Sequence, residues 1–163
     1  MFKKLLFLFV AIATLLSCTA NNSNSAYTVD ELMSTISTQV DQEVKVLGTV
    51  NHVCKHTGMK CFIVNEKEDF SIQIMAGGII KSFDNDLIGN KIEAVGVVRE
   101  RRIEKEQVDE TEKAARDLMH DEEAHEQCQA MLDNVAQMRA WMEKNNKDYY
   151  AIYYIDGIRY KAL

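Results

Sequence analysis

The sequence predicts an α+β fold: a small antiparallel β-barrel of about five strands, with a long helical insertion before the last strand. Three observations carry this reading. Runs of period-two alternation broken by glycine and charged turns fill residues 43–103, and a stretch free of glycine and proline from Val108 to Lys144 switches to helical spacing. A tyrosine-rich β-type run then closes the chain. A five-stranded open sheet covered by the helix is the alternative.

The elements follow in order. Thr28-Val29-Asp30-Glu31 has the form of a capping box, a hydroxyl followed three residues later by a carboxylate, and Leu32, Met33 and Ile36 supply an apolar face. This predicts a short helix from about Val29 to Thr38. Between Glu43 and Val53, Val44, Val46, Gly48 and Val50 alternate with Lys45, Leu47, Thr49 and Asn51, a long first strand with Gly48 where it bends. Cys61–Asn65 and Phe70–Met75 are two further strands joined by the charged turn Glu66-Lys67-Glu68-Asp69. Gly77-Gly78 ends the third, and a segment of some helical character leads through Leu87-Ile88 to Gly89-Asn90 and a fourth strand, Lys91–Ile103. From about 108 to 144, Leu118, Cys128, Leu132, Val135 and Met142 predict one long helix, or two with a joint. Asp148 opens the final strand, Tyr149–Ile155, with a turn at Asp156-Gly157. A bent, glycine-containing first strand and a fifth strand returning to close the sheet are features of the OB-fold.

Ahead of this domain the chain reads as an address. Lys3 and Lys4, an apolar run from Leu5 to Leu16, and Ser17-Cys18 make residues 1–17 a secretory signal peptide. The run spans about 18 Å at about 1.5 Å per residue, short of the roughly 30 Å hydrocarbon core of a bilayer. Leu15-Leu16-Ser17-Cys18 resembles the lipobox of bacterial lipoproteins, which implies that Cys18 is lipidated and becomes the N-terminus. Thr19, where an Asp would retain the protein at the inner membrane in the enterobacterial rule, implies the outer membrane. Residues 18–26 form the lipidated cysteine and a polar tether, and residues 27–163 the OB-like domain. The partners expected are therefore the membrane, through the lipid, and an envelope protein, oligosaccharide or other small ligand.

Charge and motifs narrow the function. The formal net charge of −6 becomes more acidic once Lys3 and Lys4 are removed, so binding driven by counterion release from nucleic acid is not expected. The sequence has no phosphate-binding loop, dinucleotide fingerprint, nucleophile elbow or His-Glu-x-x-His helix, which leaves a non-enzymatic binding module as the leading expectation. Arg99, Arg101 and Arg102 form a basic patch that Glu104, Glu106, Asp109, Glu110 and Glu112 offset. Tyr149, Tyr150, Tyr153, Tyr154 and Tyr160 form a stacking platform or, in the simpler reading, cover a sheet beneath the helix.

The densest chemistry lies at the first hairpin: His52, Cys54, His56 and Cys61 fall within ten residues, with Gly58 reversing the chain. Asp121, His125 and Cys128 share one face of the predicted helix through spacings of four and three. Three arrangements remain open. Cys54 and Cys61 form a disulfide, as the oxidising envelope favours; or Cys54, His56, Cys61, His125 and Cys128 supply a zinc or thiol-redox site tying helix to barrel; or these side chains pack. The alternative function is accordingly a metal-binding or thiol-redox-responsive lipoprotein. The string Gly48–Phe62, GTVNHVCKHTGMKCF, resembles the hairpin of uncharacterised OB-fold lipoproteins of the Bacteroidota cell envelope, matched at His52, Cys54, His56, Gly58 and Cys61. That resemblance implies the fold and the envelope location and carries no activity.

Overall fold

A computed structural model describes residues 25–119 and 125–163. The signal peptide, Cys18, most of the tether and Asp121 lie outside these residues. A two-residue strand β1 (Tyr27–Thr28) leads into helix α1 (Val29–Thr35). The predicted capping box is present: the Thr28 N–H donates to Glu31 Oε2 at 2.8 Å, and the Glu31 N–H donates back to Thr28 Oγ1 at 3.3 Å. Strands β2 (Glu43–Val53), β3 (Lys60–Val64), β4 (Ser71–Met75) and β5 (Lys91–Glu104) follow. Helices α2 (Lys105–Leu118) and α3 (His125–Asn145) precede the last strand, β6 (Tyr149–Ala162).

The sheet order is β1-β2-β3-β4-β6-β5, and β2 also pairs with β5. That last pairing closes β2 to β6 into a barrel, with β4 and β6 parallel and the other barrel pairs antiparallel. Counting only barrel strands, the order is first, second, third, fifth, fourth and back to the first, an OB-like connectivity with the helical insertion between the fourth and fifth. At Gly48 the edge of β2 passes from β1, which pairs with Val46 and Leu47, to β3, which pairs from Thr49 onward.

Alternating inward residues make the interior: Val44, Val46 and Val50 of β2, Cys61 and Ile63 of β3, Ile72 and Ile74 of β4, Ile92, Ala94 and Val98 of β5, and Ile155 of β6. Val29, Leu32 and Ile36 join the same core from the α1 segment. The expected helical segment before β5 is reduced to a 3-10 turn at Asn85–Leu87, because Ile80 and Phe83 instead enter the core from an irregular loop. The turn expected at Asp156-Gly157 is also absent: β6 runs on through it, with a register shift opposite Val95 and Gly96. Backbone proximity explains this. A Cβ on Gly157 would lie 2.7 Å from the Met75 carbonyl oxygen, and one on Gly96 2.5 Å from Ile155 Cγ2, so the two glycines let strands approach rather than turn.

The insertion is an antiparallel helical arm. Val108 and Ala115 on α2, and Cys128, Val135 and Met142 on α3, are buried and recur at intervals of seven, the period of a coiled-coil seam. At the arm's base Val108, Val135 and Met142 pack with Ile103, Met138, Trp141 and Tyr150 in a cluster separate from the barrel core.

Candidate functional site

Strand register decides the fate of the hairpin cluster. Val53 pairs with Cys61, and both point into the barrel, where Cys61 pairs onward with Ile74 and is fully buried. Cys54 lies one residue beyond Val53; its N–H donates to the Lys60 carbonyl at 2.9 Å, and its thiol turns outward. Gly58 reverses the chain at φ +63°. The two thiols therefore sit on opposite faces of the same sheet, and Cys54, Cys61 and Cys128 are all free rather than bridged. Burial pushes the Cys61 thiol up to about 12. The Thr57 hydroxyl, 3.5 Å from Cys54 Sγ, together with the Thr57 and His56 backbone, holds the Cys54 thiol below its ordinary value.

The remaining members are equally dispersed. His56 is exposed in the hairpin turn, His125 is exposed at the start of α3, and Cys128 is buried in the seam of the arm. The structure thus places Cys54 and His56 in one turn, and Cys61 inside the barrel. Among the described residues, no group of three or more His, Cys, Asp or Glu side chains is arranged to hold a metal ion. Cys128 is buried on α3 seven residues before Val135, a spacing that fits packing along the seam.

A different set of side chains forms a continuous cross-strand row around the barrel. Paired positions run across the outer surface of the barrel, His52 to Phe62, Phe62 to Gln73, Gln73 to Tyr154 and Tyr154 to Arg99. Each lies beside inward-facing neighbours, Cys61 and Ile63 around Phe62, Ile72 and Ile74 around Gln73, Tyr153 and Ile155 before and after Tyr154, so the whole row faces out. The His52 and Phe62 rings meet at 5.8 Å between centroids. Arg99 closes the row in a fork, its Nε donating to Asp156 at 3.0 Å and its Nη1 to Asp41 at 2.5 Å, and these bonds raise its pKa further. Within the row, the adjacent His52 and Phe62 rings and the Gln73 amide beside them are groups that can meet a ligand by stacking and hydrogen bonding.

The tyrosines separate into different roles. Tyr153 and Tyr160 pack against the barrel core, the latter 5.3 Å from the Phe83 ring. Tyr150 meets Trp141 edge-on beneath the arm, and Tyr149 lies under Arg102, 4.3 Å from the ring centroid. Only part of the set covers a sheet beneath a helix, and Tyr154 alone joins the cross-strand row. Alternation marks Phe62, Gln73 and Tyr154 individually as outward residues, whereas their alignment depends on register across four strands.

A concavity of about 540 Å³ opens beside Gly48, lined among others by Asp30, Leu47, Asn65, Glu66, Lys67 and Lys91. Asn65, a buried polar residue, donates through Nδ2 to Asp30 at 2.8 Å and to Asp69 at 2.5 Å, and its Oδ1 accepts from the Phe70 N–H at 3.2 Å. Its bonding capacity is consumed internally, tying the β3–β4 turn to α1, which is a structural use of the amide.

No protein-family model and no curated protein matches the chain. Among solved structures, one described as "a putative aspartyl-tRNA synthetase from Leishmania major Friedlin" aligns with 55% of this chain and 18% of its own, at 20% sequence identity and a TM-score of 0.33.

Proposed function

We propose that the protein is a lipid-anchored ligand-binding module of the cell envelope, non-enzymatic, which holds its ligand on the outer surface of β3, β4 and β6. The observation that carries this reading is the outward pairing of Phe62 with Gln73 on the second and third barrel strands, the face that OB-folds use for binding, with His52 and Tyr154 paired to them on either side. The signal-like start, the Leu15–Cys18 lipobox and the resemblance of the hairpin to envelope lipoproteins of the Bacteroidota support the address. Two lipid chains on Cys18 would hold the barrel at a membrane surface, with residues 19–26 setting its reach.

The address is tested by growth with an alkyne fatty acid: the protein takes up label, and Cys18→Ala abolishes it. The binding face is tested by two-dimensional amide NMR of the folded domain titrated with fractionated envelope glycans, peptides and lipids. Shifts concentrated on β3, β4 and β6 are expected. Shifts confined to the cleft around Asn65, or none with any fraction, would overturn the assignment of the face.

A further inference from the structure

One end of the barrel joins an apolar apex to a charge opposite in sign to that of the whole chain. The β2–β3 hairpin and the loop after β4 meet there. The Phe83 N–H donates to the Gly58 carbonyl at 2.8 Å, the Ala76 N–H to that of Met59 at 2.9 Å, and the Ile79 N–H to that of Ile158 on β6 at 2.9 Å. A Cβ on Gly58 would lie 2.8 Å from the Phe83 carbonyl oxygen, so hairpin and loop form one surface. Ile80 and Phe83 anchor the loop in the core, whereas Ile79 beside them is 79% exposed and Met59 in the hairpin 39%. Water, not protein, covers these two side chains, although burying them would be favourable.

The same three segments carry free cations. Lys55, Lys60, Lys81 and Arg159 are all exposed, and none of them is in an ion pair among the described residues, whereas Lys105, Lys113, Arg116 and Arg139 of the arm are each paired. Residues 52–64, 72–83 and 157–163 contain no Asp or Glu, in a chain that has 25 of them. The carboxylates that flank these segments are engaged: Asp84 accepts from the Asp86 N–H at 3.0 Å, and Asp156 accepts from Arg99 at 3.0 Å. On a chain of formal charge −6, this end is a basic island.

An aliphatic apex flanked by cations fits a soft surface that offers hydrocarbon beneath a layer of negative charge. Single-stranded nucleic acid is met by aromatic faces, and Ile79 and Met59 have none. We propose that this end of the barrel rests on an anionic phospholipid bilayer, with Ile79 and Met59 entering the headgroup region and Lys55, Lys60, Lys81 and Arg159 meeting lipid phosphates. The inference rests on the membrane address proposed above, which supplies the bilayer. The reach of the tether allows it. From Val46, where Tyr27 joins, to Val53 at the base of the hairpin is about 23 Å along β2, and the nine peptide units from Cys18 to Tyr27 span about 30 Å at full extension.

The test places the full chain, and separately its Cys18→Ala variant, on vesicles of phosphatidylcholine alone or mixed with phosphatidylglycerol, and reads lysine acetylation by peptide mapping. On the mixed vesicles Lys55, Lys60 and Lys81 are expected to react about fivefold more slowly than on the neutral ones, while Lys105 and Lys113 of the arm change less than about twofold. Raising the salt from about 50 to about 500 mM should erase the difference. Ile79→Ser, at an exposed site, should remove most of the protection without moving the thermal midpoint, and Lys55→Gln with Lys81→Gln should expose Lys60. Equal rates on the two kinds of vesicle, or arm lysines slowed as much as those of the tip, overturn the contact. Protection of the same lysines by a poly-glutamate peptide or a thymidine dodecamer without vesicles, indifferent to Ile79→Ser, assigns the patch to an acidic macromolecule and overturns it as well. Failure of the address reads differently: Cys18 takes up no fatty-acid label, while the Cys18→Ala chain still shows its tip lysines protected on the mixed vesicles.

Discussion

The barrel and the helical arm are folded by different means, and the contrast shows which part of the chain can open without the other. In the barrel every strand but β3 has a partner far away in sequence, β2 pairing with β5 and β6 pairing along its length with β5 and part of its length with β4, around an interior of aliphatic side chains. The arm is local. Its apolar content is a narrow heptad seam, and its flanks are laced by ion pairs, with Arg139 bridging Asp109 at 2.7 Å and Glu112 at 2.6 Å and Lys105, Lys113 and Arg116 each pairing four residues on or back. It joins the barrel through Ile103 and Tyr150 at its base. A long non-local sheet opens as a unit, whereas a two-helix arm attached at one end opens on its own.

The three free thiols divide between these regions and report on each, giving the largest effect expected. Pulsed alkylation should modify Cys54 first, since it is partly exposed and its pKa is lowered by Thr57. Cys128 should follow as the arm opens, and Cys61, buried and shifted to about 12, should react only when the barrel unfolds. A separation on the order of a thousandfold or more between Cys54 and Cys61 is expected from the span between local and global opening. Equal rates for Cys128 and Cys61 would break the distinction between arm and barrel.

Core truncations sharpen it at the next level. Ile74→Ala, at a fully buried barrel site, should cost about 3 kcal/mol and lower the global unfolding midpoint in denaturant. Val135→Ala, in the seam of the arm, should cost about 2 kcal/mol locally, speeding alkylation of Cys128 while leaving Cys61 protected. The smallest effect is electrostatic. Hydrogen bonds from Lys105 and Arg139 lower the Asp109 pKa, and those from Arg116 and Arg139 lower that of Glu112. A depressed carboxylate stabilises fully above its unfolded value and loses that contribution as pH falls through its folded value. Acidification below the ordinary carboxylate range should therefore loosen the arm first, read as a fall in helical far-ultraviolet signal and faster Cys128 labelling before the barrel melts. Arg139→Met should reduce this acid sensitivity, leaving the part that Lys105 and Arg116 supply.

Composition and periodicity made much of this legible. The capping box at Thr28, the alternation of β2 and the change of period near residue 105 each reflect a local rule, and each appears where that rule places it. What escaped was non-local. Gly157 looks like a turn until Gly96 and Met75 are known to lie against it, and Cys54 and Cys61 look like partners until pairing with Val53 turns one of them inside. The seam at 108, 115, 128, 135 and 142 was readable by counting sevens, but the Cys/His composition drew attention to ligation. The row from His52 to Arg99 could not be read at all from one strand, since it exists only as a register across several.

The two-residue strand at the start of the domain has a mechanical meaning. Tension on the segment preceding Tyr27 enters the fold at two backbone pairs with β2, Tyr27 to Val46 and Thr28 to Leu47, and passes through α1 to the bond between Asp30 and Asn65. The load path thus runs through a strand of two paired residues and the buried Asn65 amide before it meets the long β5–β6 zipper. Pulling from that end would peel β1 and swing α1 off the core it joins, acting as a fuse that yields while the β5–β6 pairing stays intact.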